Sequence, residues 1–295
     1  MTTGICWALL AIALRQASAY ASTGTIVWFR MIVAAIILMI WYSIRSPHKL
    51  KLLIPKRPLI LICGLALAVN YFGYMRGLEL TSASNAQIMI QMGPIGLMLF
   101  GIFYFGEKPS LSQTFGLVCA SIGFALFFWD QILLSFQDAS RYVHGNLWIA
   151  LAAGTWTIFA VLQKGLKGSW TPQQFNMVIY TVCTLALWPF ANVEQILTWD
   201  LKGWLLMLAC GVNTLIAYGS FSEALQRIPA SHVSLVIAAN PLLTILLVTV
   251  LSQFHVAWVI PEAIEWRGFL GAFFVVAGVA LTVWRPALSR RKKLA

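Results

Sequence analysis

Charge is scarce in this sequence. Asp and Glu number nine and Lys and Arg 20, together 10% of 295 residues, where a soluble domain carries about a quarter. Apolar residues make up 60%, against about half in soluble domains. No carboxylate falls at the middle of a long apolar run, which disfavours a proton- and cation-binding acid at mid-membrane. The five cysteines, Cys6, Cys63, Cys119, Cys183 and Cys210, include no CxxC pair, and all lie inside apolar runs. They read as small buried hydrophobes, not disulfides or metal ligands. There is no HExxH, no GxSxG and no phosphate-binding loop, so neither an enzyme nor a nucleotide-driven pump is expected, and no cofactor. The opening MTTG has no basic region and no cleavage site after a short apolar core, so no secretory signal is expected.

What remains is long apolar runs. A helix crosses a bilayer with about 20 mostly apolar residues. Ten candidates follow, at 4–22, 25–44, 58–78, 82–105, 110–129, 145–165, 172–192, 202–226, 230–254 and 267–285. The connections are too short for a soluble catalytic domain. The expected class is an all-α integral membrane protein.

The net charge of +11 follows from orientation, not from nucleic acid. With the N-terminus cytoplasmic, 14 of the 20 Lys and Arg fall on the cytoplasmic side, four on the other and two, Arg15 and Arg30, inside spans. The positive-inside rule then puts both termini in the cytoplasm, and the tail RRKKLA becomes a topology anchor touching anionic lipid. Trp41, Trp129, Trp170, Trp199 and Trp204 fall near span boundaries and read as an interfacial belt.

The chain repeats itself. TSASNAQIMIQMGP at 81–94 matches IPASHVSLVIAANP at 228–241, aligning Pro94 with Pro241 at an offset of 147. Gly64 and Tyr71 meet Gly211 and Tyr218 at the same offset; Trp7 and Arg15 meet Trp156 and Lys164 at 149. Gly116 and Gly123 share their spacing with Gly271 and Gly278 after a shift of 155, which implies an insertion near 255–262. The halves are 1–140 and 141–295. Each holds five spans, an odd number, so they sit inverted with respect to one another. Inverted repeats mark secondary transporters, whose sites lie at mid-membrane between the repeats, beside interrupted helices.

Pro94 and Pro241 are such interruptions. Each frees a carbonyl four residues back, Ile90 or Ile237, which must face protein or a wet cavity. Ser84, Gln87, Gln91, Pro94 and Met98 share a helical face. The second copy, Ser231, Ser234, Ala238, Pro241 and Ile245, is less polar, so the site is asymmetric. The expected substrate pathway is Arg15, Asn70, Tyr71, Tyr74, Gln87, Gln91, Pro94, Asn213, Tyr218, Asn240 and Pro241. Amides and phenols with one guanidinium suit a zwitterionic or anionic metabolite, with Arg15 at its carboxylate. Arg30 is expected to snorkel outward or to pair structurally. Arg76 and Glu223, repeat mates, are expected at the interfaces. Gly73, Gly77 and the four glycines of the fifth and tenth spans read as packing residues, the latter also as a dimer surface.

LELTSASNAQIMIQMGPIGLMLFGIFYFGEKPSLSQTFGLVCASIGFAL at 78–126 resembles the drug/metabolite transporter superfamily, EamA type. So do Trp7 with Phe29-Arg30, ALQRIPASHVSLVIAANPLL at 224–243 and GAFFVVAGVAL at 271–281. The resemblance covers nearly the whole chain. It implies ten helices in two inverted EamA repeats and export of small metabolites through a bacterial inner membrane. Partners are then a small-molecule substrate and the bilayer, with the protein a monomer or homodimer. Only six residues precede Trp7, fewer than the family pattern has, and the second half lacks the pair Gly106-Glu107. The alternatives are a non-transporting assembly partner and an integral-membrane enzyme.

Overall fold

A computed structural model describes residues 2–48, 58–81, 86–87, 89–127, 129, 139–166, 170–238, 240–254, 266–268, 270–271, 273–275, 277–278 and 281. Ser84, the 255–262 insertion and the basic tail lie outside the described residues. The helices are α1 (Thr2–Ala17), α2 (Thr23–Arg45), α3 (Leu59–Leu80), α4 (Met92–Phe103), α5 (Leu111–Phe127), α6 (Ala139–Gly165), α7 (Pro172–Leu187), α8 (Leu201–Arg227), α9 (Ala230–Ala238) and α10 (Asn240–Gln253). Helical residues follow between Trp266 and Leu281, and no strand occurs among the described residues. Among the described residues four helices, Thr23–Arg45, Leu59–Leu80, Val143–Gly165 and Leu201–Arg227, are long and apolar enough to cross a bilayer.

Helix ends follow local chemistry. Thr171 and Gln174 form a reciprocal capping box before α7, with Pro172 in the first turn, where its missing N–H costs nothing. Asp200 accepts from the Gly203 N–H at 2.8 Å and starts α8. Outward faces are apolar: Ile40 is 55% exposed, Leu65 51% and Ile216 47%. Such surface is unfavourable in water and unremarkable in lipid, so the chain is a multi-pass membrane protein.

The packing comes in exchange pairs. α3 packs most extensively on α6, and α1 on α8; α3 lies on α7, and α2 on α8; α4 meets α6, and α1 meets α10. α2 packs on α7, and α4 on α9. Glycines set the distances. A Cβ at Gly64 would lie 2.5 Å from Val182, and one at Gly211 2.6 Å from Val33. On α3, a Cβ at Gly77 would lie 2.2 Å from Ile149 and 2.8 Å from the Gly145 carbonyl oxygen. Gly123 faces the Gly271 carbonyl, and Gly278 the Gly116 carbonyl. These last four glycines therefore pack against one another within the chain, which corrects their reading as a surface for a second copy.

Trp199 also departs from expectation. It is buried, donates to the Tyr20 carbonyl at 3.2 Å and stacks edge-on against Phe29. Trp41 and Trp129 are exposed, as a belt requires. Arg76 and Glu223 are each tied within their own helix, to Glu79 at 2.9 Å and Arg227 at 2.8 Å.

Candidate functional site

The chain breaks helical order at Ile90–Gln91, just before α4. Pro94 cannot donate to the Ile90 carbonyl, and the Gly93 N–H takes it instead at 2.9 Å. The freed carbonyl is thus closed by a tighter local turn, so that of the two environments the sequence allows it, protein or a wet cavity, it meets protein. Gly93 allows the turn to lie on α6: a Cβ there would be 3.0 Å from Trp156, and Thr157 donates to the Gly93 carbonyl at 3.1 Å.

Beside this break lies a cavity of about 100 Å³, several times what one water needs. Eight of the eleven expected pathway residues line it: Asn70, Tyr71, Tyr74, Gln87, Gln91, Pro94, Tyr218 and Asn240. Three do not. Arg15 is exposed in the last turn of α1. Asn213 is half-buried outside the lining, and Pro241 is buried behind it. Trp7, Leu10, Leu14, Ile90, Trp156 and Ile237 complete an apolar portion of the wall. Repeat mates touch here: the rings of Trp7 and Trp156 are 6.1 Å apart, and those of Tyr71 and Tyr218 5.7 Å.

The guanidinium in the wall belongs to Arg30, which is 2% exposed. Of the two expectations for Arg30 the structure shows structural pairing and not snorkelling, and Arg15, expected at the cavity, does not line it. Nε and Nη2 of Arg30 donate to Thr214 Oγ1 at 3.1 and 3.0 Å, and the Thr214 hydroxyl donates to the Cys210 carbonyl at 2.8 Å. The guanidinium also lies 4.7 Å from the Tyr71 ring centroid. Among the described residues no carboxylate pairs with it. Its depth was readable from its position two turns into α2. That it faces inward was not, because helix-face assignment depends on α8 and α3 packing against α2.

The amides are ordered by their donors. Asn70 donates to the Ala152 carbonyl at 2.8 Å, Gln87 to the Tyr74 hydroxyl at 3.0 Å and Gln91 to the Gln87 carbonyl at 3.2 Å. With its amide nitrogen so engaged, Gln91 presents Oε1 elsewhere. Among the described residues that oxygen and Asn240 Oδ1 are buried without a hydrogen-bond partner. A buried acceptor left unmade costs about 1–3 kcal/mol, so both are places for a donor.

A second polar cluster lies at one end of the bundle, where the sequence reading assigned no role. Gly106, at φ +64°, turns the chain after α4. Glu107 then accepts from the Ala230 N–H at 2.9 Å, the Ser231 N–H at 3.1 Å and the Ser231 hydroxyl at 2.9 Å, and pairs with Lys164. A carboxylate from the first half thus caps α9 of the second. Burial alone would raise the Glu107 carboxyl; Lys164 and the three α9 donors outweigh it and hold it at about 2.

A cavity walled by amides, phenols and one guanidinium within a multi-pass helical bundle is the kind of site a membrane permease carries. The EamA-like transporter family matches residues 1–129 and 143–284, and the chain belongs to it. It is 31% identical over 284 residues to an uncharacterized inner membrane transporter, YhbE, of Escherichia coli K12, covering 94% of this chain and 88% of that protein. It is 24% identical to the pseudopaline exporter CntI of Pseudomonas aeruginosa UCBPP-PA14, covering 95% and 90%. A solved crystal structure shares the fold with a TM-score of 0.71 at 19% identity, over 95% of both chains.

Proposed function

We propose that this transporter is a secondary permease that exports small metabolites, amino acids or related carboxylates, by alternating access between inverted repeats in a bacterial inner membrane. The carrying observation is the cavity lined by residues of both halves, where Trp7 meets Trp156 and Tyr71 meets Tyr218. Residues related by a two-fold axis touch their own mates only close to that axis. The exchange pairs in helix packing support the same relation: α1 on α8 answers α3 on α6, and the Gly64–Val182 contact answers Gly211–Val33. A cavity on such an axis can open to either side as the halves rock.

Arg30 supports the anionic class of substrate, since a buried guanidinium without a counter-ion favours a carboxylate. The excess of Lys and Arg in one set of connections supports cytoplasmic termini, and the exporter among the relatives supports outward transport. The reading needs no partner beyond substrate and lipid.

The test is flux in proteoliposomes loaded with a mixed labelled pool of amino acids and organic acids. Saturable, protein-dependent exchange that Gln91→Ala weakens is the expected result. Exchange untouched by Gln91→Ala would move the pathway away from the break. No exchange of any solute would overturn the transport reading in favour of an assembly role.

A further inference from the structure

Resting on the transport reading above, we propose that the cavity recognises both ends of a zwitterion: Arg30 takes an α-carboxylate, while Gln91 Oε1 and Asn240 Oδ1 accept from the ammonium group. The cavity has both signs of vacancy. Arg30 spends two of its five N–H groups on one hydroxyl, Thr214 Oγ1, and stacks near Tyr71. The described residues offer it no carboxylate. An arginine inside the membrane is costly, so an anion that meets it recovers interaction the fold leaves open.

The acceptors are equally specific. Gln91 and Asn240 are each 4% exposed, and both line the cavity with a side-chain oxygen that no hydrogen-bond donor among the described residues meets. Gln91 cannot simply be turned over, because its amide nitrogen already serves the Gln87 carbonyl. A dicarboxylate would bring acceptor against acceptor at these atoms. A simple amine would leave Arg30 unpaired. An α-amino acid satisfies both, and its side chain then meets the apolar wall of Trp7, Leu14 and Ile237.

The asymmetry suits a bipolar ligand. At the offset of 149 that relates Val33 to Val182, Arg30 is matched by Ile179. At 147, Gln91 is matched by Ala238 and Asn240 by Gly93. No polar member of the proposed site has a polar mate, so the two-fold relation in the backbone is broken where a head-to-tail different molecule has to be held one way round.

The experiment uses the full chain in proteoliposomes preloaded with a pool of unlabelled α-amino acids, with the labelled pool outside. Uptake is competed by three sets: the same amino acids, the corresponding amines lacking the carboxylate, and the corresponding acids lacking the amino group. Each set is also preloaded alone. Only intact amino acids are expected to compete strongly. Arg30→Gln should raise the half-saturating concentration at least about tenfold, the loss of a charged hydrogen-bonded contact. Gln91→Leu should narrow the gap between amino acids and deaminated acids. If Arg30→Gln does not accumulate, Arg30→Lys keeps the charge without the fork and should weaken binding with an unchanged melting temperature. Amines competing as well as amino acids, or both Arg30 variants leaving half-saturation unchanged, would overturn the proposal. So would exchange of the acids or amines alone, while leaving a transporter in place. A folded protein, judged by its melting temperature, that exchanges none of the three sets would overturn the transport reading itself.

Discussion

Lys164 and Arg15 occupy matching places in the two halves, 149 residues apart, yet their surroundings share little. Lys164 is 9% exposed and pairs with Glu107, whose carboxylate also closes the start of α9. Arg15 is exposed, and no ion pair reaches it among the described residues. The first half supplies Gly106-Glu107 after α4, and the second half has no such pair at the matching place. One end of the bundle is therefore cross-linked between halves by a half-buried charge cluster, and the described residues show no counterpart around Arg15. If the halves rock as proposed, unequal ends imply unequal conformers, and the one in which the Glu107 cluster is made is expected to be favoured.

The largest test of that inequality removes its hub. Glu107→Ala strands Lys164 and uncaps α9, and a cost of about 3 kcal/mol is expected from one charged pair and the cap together. Thermal denaturation in detergent would read it. Hydrogen exchange at the Ala230 and Ser231 amides should accelerate in the variant while the α3–α6 contact stays protected. Uniform loss of protection instead would mean that the cluster holds the whole fold, not one end of it.

Acid provides the same perturbation without mutation. The Glu107 carboxyl is held at about 2, below its ordinary 4.5. A depressed carboxyl contributes stability that is fully present above pH 4.5 and drains away as pH falls toward 2. Wild type should lose melting temperature across that window more steeply than Glu107→Gln. Parallel pH curves for the two proteins would show that the cluster carries no differential protonation.

Lys164→Met is expected to cost less, about 1–2 kcal/mol, because Glu107 keeps the Ala230 and Ser231 donors. The double variant Lys164→Met/Glu107→Gln should be less destabilised than the sum of the singles, since contacting residues couple. Strict additivity would break the pairing.

Why the sequence points to one arginine and the bundle uses another is a matter of helix length and rotation. Apolar continuity carries the first span to residue 22, which sets Arg15 about two-thirds of the way along. α1 instead ends at Ala17, where the Ala19 and Tyr20 N–H groups close short turns onto the Gln16 and Ala17 carbonyls. Arg15 then falls in the last turn, with its charge near the favourable end of the helix dipole. The all-helical apolar character, four of the long spans and the break before Pro94 are legible because they depend on local apolarity and on a missing N–H. So is the gathering of Asn70, Tyr74, Gln87 and Gln91, which follows from helical spacing within 70–74 and within 87–91. The inward face of Arg30 and the reach of Glu107 to α9, 123 residues away, depend on which helices meet, and a single sequence carries no signal for that.

The smallest expected effect is at Arg15 itself. An exposed side chain in a final helical turn contributes little, so Arg15→Gln should shift stability by no more than about 0.5 kcal/mol, and half-saturation for exchange should not move. The variant earns its place as the counterpart of Arg30→Gln: the two remove the same charge from adjacent helices, one at the helix end and one at the cavity. If the pathway is organised by burial, only the Arg30 change alters substrate affinity. If Arg15→Gln weakens exchange as much, the guanidinium at the end of α1 enters the pathway in a conformer other than the one described here. The unequal ends would then be two stages of one route, with the unpaired end as the one that opens.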